Sequence, residues 1–303
     1  MPVASLYLLS LTTSATTFLH ALRTTRTILL SSRPRHIIIH PTILDPAILT
    51  TTPWDLLILI QPPSSPNTPP IPPPLHSLIK TQYHLTIGIP SNLLTTYATR
   101  NASLQHSAPS IPLTGSLDHA RRNNPNPSAQ TLDLSPFLLS FMDELTLQHP
   151  GPVTMLNLLH FHHPDGKKRY YQYGQAFIPV AGKRGGNAKI VGNVVKPKSA
   201  SDAAMGPVEV DSRGDWSRKE EEWWNEISIV HYPSIRHFCD MLAGEDYQEI
   251  NERFRVAAFE GYVFVVYDRV GGGRGGGGGG GGGEALIVEL VCEIVLVMGV
   301  VTF

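Results

Sequence analysis

The stretch Val153-Thr154-Met155-Leu156-Asn157-Leu158-Leu159-His160-Phe161 decides the fold. Successive side chains of an extended segment point to opposite faces. Here both faces are apolar, with Met155, Leu159 and Phe161 on one and Leu156 and Leu158 on the other. A strand of that kind must be covered twice. Asn157 interrupts the run, and a buried carboxamide costs ~1–3 kcal/mol unless it is hydrogen-bonded. It either ties the backbone internally or faces a ligand, and the residues alone leave both readings open.

Downstream, Tyr170, Tyr173, Phe177 and Val180 recur at helical spacing, and Gly185-Gly186 ends that helix. Residues 188–195 read as a strand, 196–222 as a polar loop, and 227–230 as a strand stopped by Pro233. Ser234 is placed to cap a helix carrying Ile235, Phe238, Cys239 and Leu242. Gly244 breaks it, and Tyr247, Ile250 and Phe254 mark one more helical face. A last strand completes a βαββαβ order. Residues 262–267 and residues 286–297 compete for that role, separated by the glycine tract 271–283, which is expected to be disordered. A membrane anchor is the rival reading of the tail. Glu289 and Glu293 would each cost ~2–3 kcal/mol near a bilayer centre, which favours a strand.

The first half repeats the order more faintly. Residues 6–11, 36–40, 56–60 and 85–89 read as strands. Phe18, Leu19 and Leu22 form a helical stripe behind Ser14 as N-cap, and Leu75, Leu78 and Ile79 suggest a short second helix. Eight prolines between positions 62 and 74 leave only a stiff exposed loop there. Residues 91–150, rich in Asn, Ser, Pro and Thr, read as a flexible linker, mostly unpacked, with one short helix near 137–145. The expected organisation is a degenerate unit over 1–90, that linker, and a second unit over 151–303.

Composition narrows the partners. Among 303 residues, 24 bases against 25 acids offer no basic field for a phosphate backbone, so no nucleic-acid partner is expected. Two cysteines, Cys239 and Cys292, make neither a disulfide framework nor a four-cysteine zinc site. His160-Phe161-His162-His163 has no further ligand at fixed spacing and reads as a solvated strand end, so no metal is expected. The glycines of Gly182-Lys183-Arg184-Gly185-Gly186 follow a helix and precede a strand, the wrong order for a phosphate loop. The first acid is Asp45, and the Arg-bearing start before it makes a mitochondrial leader the alternative to a cytoplasmic location.

Several of these segments together resemble a known family. They are the 155–161 strand, Tyr170-Tyr171-Gln172-Tyr173-Gly174, Trp224-Asn225-Glu226-Ile227 with His231-Tyr232-Pro233-Ser234, and the run from Met241 through Tyr247 to Arg255. Their order and spacing resemble a bacterial and fungal family of unknown-function domains in the dimeric α/β-barrel superfamily, over residues 152–259. Beyond Phe259 the pattern departs, because the family runs directly into its last strand. The resemblance implies an α+β, ferredoxin-like unit, a four-stranded antiparallel sheet with two helices on one face and a second sheet against the other. Two tandem units packed as such a barrel are therefore expected, as a pseudo-dimer within one chain or as a homodimer. The superfamily also includes metal-free monooxygenases, lactone isomerases and haem-degrading enzymes. The last group uses an Asn, a Trp and a His, residue types that Asn157, Trp224 and His231 or His237 offer without a demonstrable spacing.

The expected site is a cleft in the second unit bounded by Asn157, Trp224, His231 and the helix bearing Tyr171 and Tyr173, with Tyr232 beside it. His231 would act as acid or base, since an imidazole titrates near neutrality, and Asn157 would orient an oxygen. Trp224, Tyr171, Tyr173 and Tyr232 would hold substrate. The function expected is binding of a small hydrophobic molecule or a cofactor-independent oxygenase or isomerase activity. The alternative is a non-catalytic stress-associated or assembly protein whose barrel serves oligomerisation. No cofactor and no membrane partner are expected.

Overall fold

A computed structural model describes residues 2–39, 47–61, 68–123, 134–161, 165–195, 224–255, 259–268 and 293–299. The first half contains β1 (Val3–Leu11), α1 (Ala15–Arg23), β2 (Ile28–Ile39), α2 (Ala47–Thr51), β3 (Leu56–Ile60) and β4 (Ile79–Gly88). Four helices follow: α3 (Ser91–Thr95), α4 (Tyr97–Ser107), α5 (Ser116–Asn123) and α6 (Pro136–Gln148). The second half contains β5 (Val153–Phe161), α7 (Gly166–Gly182), β6 (Asn187–Val194), β7 (Glu226–Tyr232), α8 (Ile235–Leu242), α9 (Glu245–Ile250), β8 (Phe259–Asp268) and β9 (Glu293–Gly299).

The chain is an α+β fold, and its strands pair almost wholly antiparallel in the closed order β1-β3-β2-β8-β9-β5-β7-β6-β4. Within it β4-β1-β3-β2 are neighbours, and β8-β5-β7-β6 are neighbours in the same relative order. The two sets meet where β2 pairs with β8 and where β4 pairs with β6. Pro34, which has no N–H to donate, sits on β2 where its pairing has passed from β3 to β8 and the register then slips. At the other joint a Cβ on Gly192 would lie 2.5 Å from Ile87 Cγ2 and 2.8 Å from Gly88 O, so only glycine lets β6 approach β4.

β1 shows why its sequence is apolar on both faces. Tyr7, Leu9 and Leu11 pack with Leu56, Ile58 and Ile60 against Phe18, Leu19 and Leu22 of α1. Leu6 and Leu8 point the other way and join Leu57, Leu59, Leu85 and Ile87 in the larger core. Each such buried leucine contributes ~1.5–3 kcal/mol. α1 begins as its sequence predicts, with Ser14 Oγ accepting the Thr17 N–H at 3.0 Å.

Two expectations need correction, and one open choice is resolved. Residues 91–123 and 134–150 are not an unpacked linker but carry α3 to α6, with Tyr97, Asn101, Leu117, Leu138, Met142 and Leu145 buried. Few apolar residues suffice because polar anchors from elsewhere hold these helices, as described below. The short second helix of the first half is only a 3-10 turn, Pro73–Leu78, since prolines at 72–74 leave no room for a longer one. Of the two candidates for the last strand, residues 262–267 lie in β8, which pairs with β5 along its length. The tail contributes β9 beside β8; residues 286–292 and the glycine tract 271–283 lie outside the described residues. Among the described residues no helix is long and apolar enough to cross a membrane.

Candidate functional site

A cavity of about 310 Å³ lies between the outer face of β5, β6 and β7 and the helices of the second half. Alternation builds its floor: Met155, Asn157 and Leu159 from β5, and Glu226, Ser228, Val230 and Tyr232 from β7. α7 supplies the roof through Tyr170, Tyr173 and Phe177, whose rings follow one another at centroid separations of 5.5 Å. Gly174 sits among them, and a Cβ there would meet nothing within 4 Å. Just past the end of α7, Gly185 has a φ of +70°, and a Cβ there would lie 2.5 Å from Pro233 Cγ, so both conformation and space require glycine. That turn sends the chain straight into β6 at the cavity's edge.

Three polar groups share the floor. Asn157 stands opposite Ser228 in the β5–β7 register, and its Nδ2 donates to the Ser228 carbonyl at 3.1 Å. Of the two readings left open for Asn157, the internal hydrogen bond is present, on a side chain that also lines the cavity. The Ser228 hydroxyl is buried and has no hydrogen-bond partner among the described residues. Glu226 stands opposite Leu159, with Lys167 Nζ 3.4 Å from its carboxylate. Burial raises the Glu226 pKa; the Lys167 charge and hydrogen bond pull it back only in part, and the net shift is upward. Lys167 also donates to Asn193 Oδ1.

Of the residues expected to form the site, Asn157, Tyr171, Tyr173 and Tyr232 line this cavity. Tyr171 is a rim residue, 68% exposed, and the Tyr232 hydroxyl is turned to Met241 Sδ at 3.1 Å. His231 is not there. It alternates with Tyr232 and faces the opposite side of the sheet, across from Thr154. A bulge in β6 between Ala188 and Ile190 sends Lys189 to the same side, where its Nζ donates to Thr154 Oγ1 and to Asn101 Oδ1, both at 3.1 Å. His231 is buried, and neither ring nitrogen has a hydrogen-bond partner among the described residues. Burial above all, then the fields of Lys189 and His237, holds its pKa well below the ordinary 6.5. A neutral, enclosed imidazole on the wrong face cannot serve this cleft as acid or base.

Trp224 is likewise buried ahead of β7 and does not line the cavity. His237 holds the chain together instead, through Ser234 Oγ at 2.8 Å and Ile111 O at 3.0 Å. His160 is fully buried, not part of a solvated strand end, while His162 and His163 lie outside the described residues. No group of three potential metal ligands occurs among the described residues. Glu226 and Ser228 were missed by sequence reasoning. Their signal is the alternation Glu226-x-Ser228-x-Val230-x-Tyr232, which puts both on the face of Tyr232.

No family model matches the chain, and no curated protein matches it. Among solved structures, a protein of unknown function from Rhodopseudomonas palustris aligns at 22% identity over 48% of this chain and all of its own, with a TM-score of 0.33. A proposed monooxygenase from Lactobacillus acidophilus aligns at 6% identity over 88% of this chain and 92% of its own, with a TM-score of 0.43. Likenesses this distant carry no functional argument.

Proposed function

We propose that this chain binds a small, largely apolar molecule in the cavity beneath α7. We read residues 1–90 and 151–303 as two tandem ferredoxin-like units that close one barrel within the chain, with residues 91–150 as a helical connection. The repeated strand order supports that reading of the barrel. The observation that carries the binding function is the lining: an aromatic and aliphatic enclosure with a few convergent polar groups, the usual composition of a small-molecule site. Within it, Glu226 offers a proton-transferring carboxyl and Asn157 an amide to orient an oxygen, so acid–base chemistry of the cofactor-independent kind falls to Glu226 in place of His231.

Gly174→Phe tests the reading, because the new ring enters the open space at the roof. The full-length protein should bind the fluorescent hydrophobe anilinonaphthalene saturably, and Gly174→Phe should abolish that binding while leaving the circular dichroism spectrum intact. Equal binding by the two proteins, or none by either, would overturn the proposal.

A further inference from the structure

The polar atoms on the cavity floor are oriented in a way that selects a ligand class, a step that rests on the binding function just proposed. A carbonyl can be met only by a donor, so the Asn157 amide nitrogen must face Ser228 O, where it lies at 3.1 Å. That bond leaves the Asn157 oxygen over as an acceptor, on a side chain that lines the cavity. Glu226 presents a carboxyl with acceptor oxygens two residues along β7 from Ser228 and on the same face. The Ser228 hydroxyl between them is the unusual group. It is 3% exposed and lacks any partner among the described residues, and buried hydroxyls are rarely left so.

We infer that the cavity takes a planar aromatic molecule bearing a hydroxyl group, received by Ser228 with Glu226 and Asn157 as flanking acceptors. A ligand hydroxyl can accept from Ser228 Oγ while donating to one of the neighbouring acceptors, which a ketone, an ether or a hydrocarbon cannot do. A carboxylate is disfavoured, because it has no proton to give the Asn157 acceptor and would bring a charge into an enclosed, largely apolar site. Lys167, the cation in the lining among the described residues, stands at the rim with 59% of its side chain exposed and is already paired with Glu226. An aromatic ligand suits the roof, a run of three rings in which Tyr170 and Tyr173 lie at 26° and Tyr173 and Phe177 at 35°.

Competition against bound anilinonaphthalene, with naphthalene, naphthol and naphthoate as probes, tests the assignment on the full-length protein. Naphthol should bind about tenfold more tightly than naphthalene, although it is the more water-loving of the two. Naphthoate should bind more weakly than naphthol. Ser228→Ala should bring the naphthol-to-naphthalene ratio close to one. A ratio near one in the wild type, a ratio retained in Ser228→Ala, or naphthoate as the tightest ligand each overturns the hydroxyl assignment. The naphthoate comparison needs no variant and so stands even where Ser228→Ala folds poorly. Absence of naphthalene binding strikes the cavity reading itself, and the assignment with it.

Discussion

The carboxylate of Asp240, on α8, accepts the backbone N–H of Leu117 at 2.9 Å, 123 positions earlier in the chain. Its second oxygen takes the Thr114 N–H at 2.8 Å and the Thr114 hydroxyl at 2.6 Å, with Arg184 Nε 3.5 Å away. One fully buried acid thus terminates the start of α5 and fastens the middle segment to the second half. Burial alone would raise its pKa; the hydrogen bonds from Leu117 and Thr114 and the Arg184 charge outweigh that and hold it below the usual value.

Asp240→Ala should therefore cost about 3 kcal/mol, the range for opening a buried, hydrogen-bonded charge. Arg184 retains Asp246 at 3.0 Å, which keeps the loss from being larger. Urea unfolding monitored by circular dichroism measures it. A change under about 0.5 kcal/mol, the scale of an ordinary surface substitution, would show that α5 does not depend on this anchor.

How legible all this was depends on where the information sits. β1, β5, β7, α1 and α7 follow from local periodicity, and both faces of β1 and β5 had to be apolar because both are covered. The middle helices were illegible because α4 and α5 bury few residues and lean on partners such as Asp240 and Lys189, whose positions only the tertiary fold defines. The site was half legible. Aromatic spacing placed Tyr173 over the sheet, and the oddity of Asn157 pointed to the floor. Choosing His231 for its titration range overlooked the alternation that ties Glu226 and Ser228, not His231, to the face of Tyr232.

His231 should prove a liability in acid. In the unfolded chain its imidazole titrates near 6.5, whereas in the folded chain it stays neutral far below that. The unfolded state then binds more protons, so stability attributable to His231 falls as pH drops below about 6.5. His231→Leu fills similar space without a proton site. It should match or exceed wild-type stability at neutral pH and surpass it increasingly toward acid. Urea midpoints of both proteins across that range test this, and a variant that loses ground as pH falls would sink the assignment.

Glu226 should show the opposite sign. Its folded pKa lies above the ordinary 4.5, because burial outweighs the help from Lys167. Between those two values the folded chain holds a proton that the unfolded chain has released. Its contribution is therefore fully present below about 4.5 and is lost as pH rises through the folded value. Glu226→Gln keeps the shape and cannot ionise. The stability difference, variant minus wild type, should grow with pH from weakly acid conditions and level off, which isolates Glu226 from the contrary slope of His231. The forfeited pair with Lys167 subtracts little, ~0–1 kcal/mol, since the lysine side chain is mostly exposed. Thermal melts of the two proteins over matched buffers provide the measurement. A difference that shrinks with rising pH would mean that the Lys167 pair governs the carboxyl, and Glu226 would then be an ordinary ionised acid at neutral pH, unsuited to holding a proton for chemistry in the cavity.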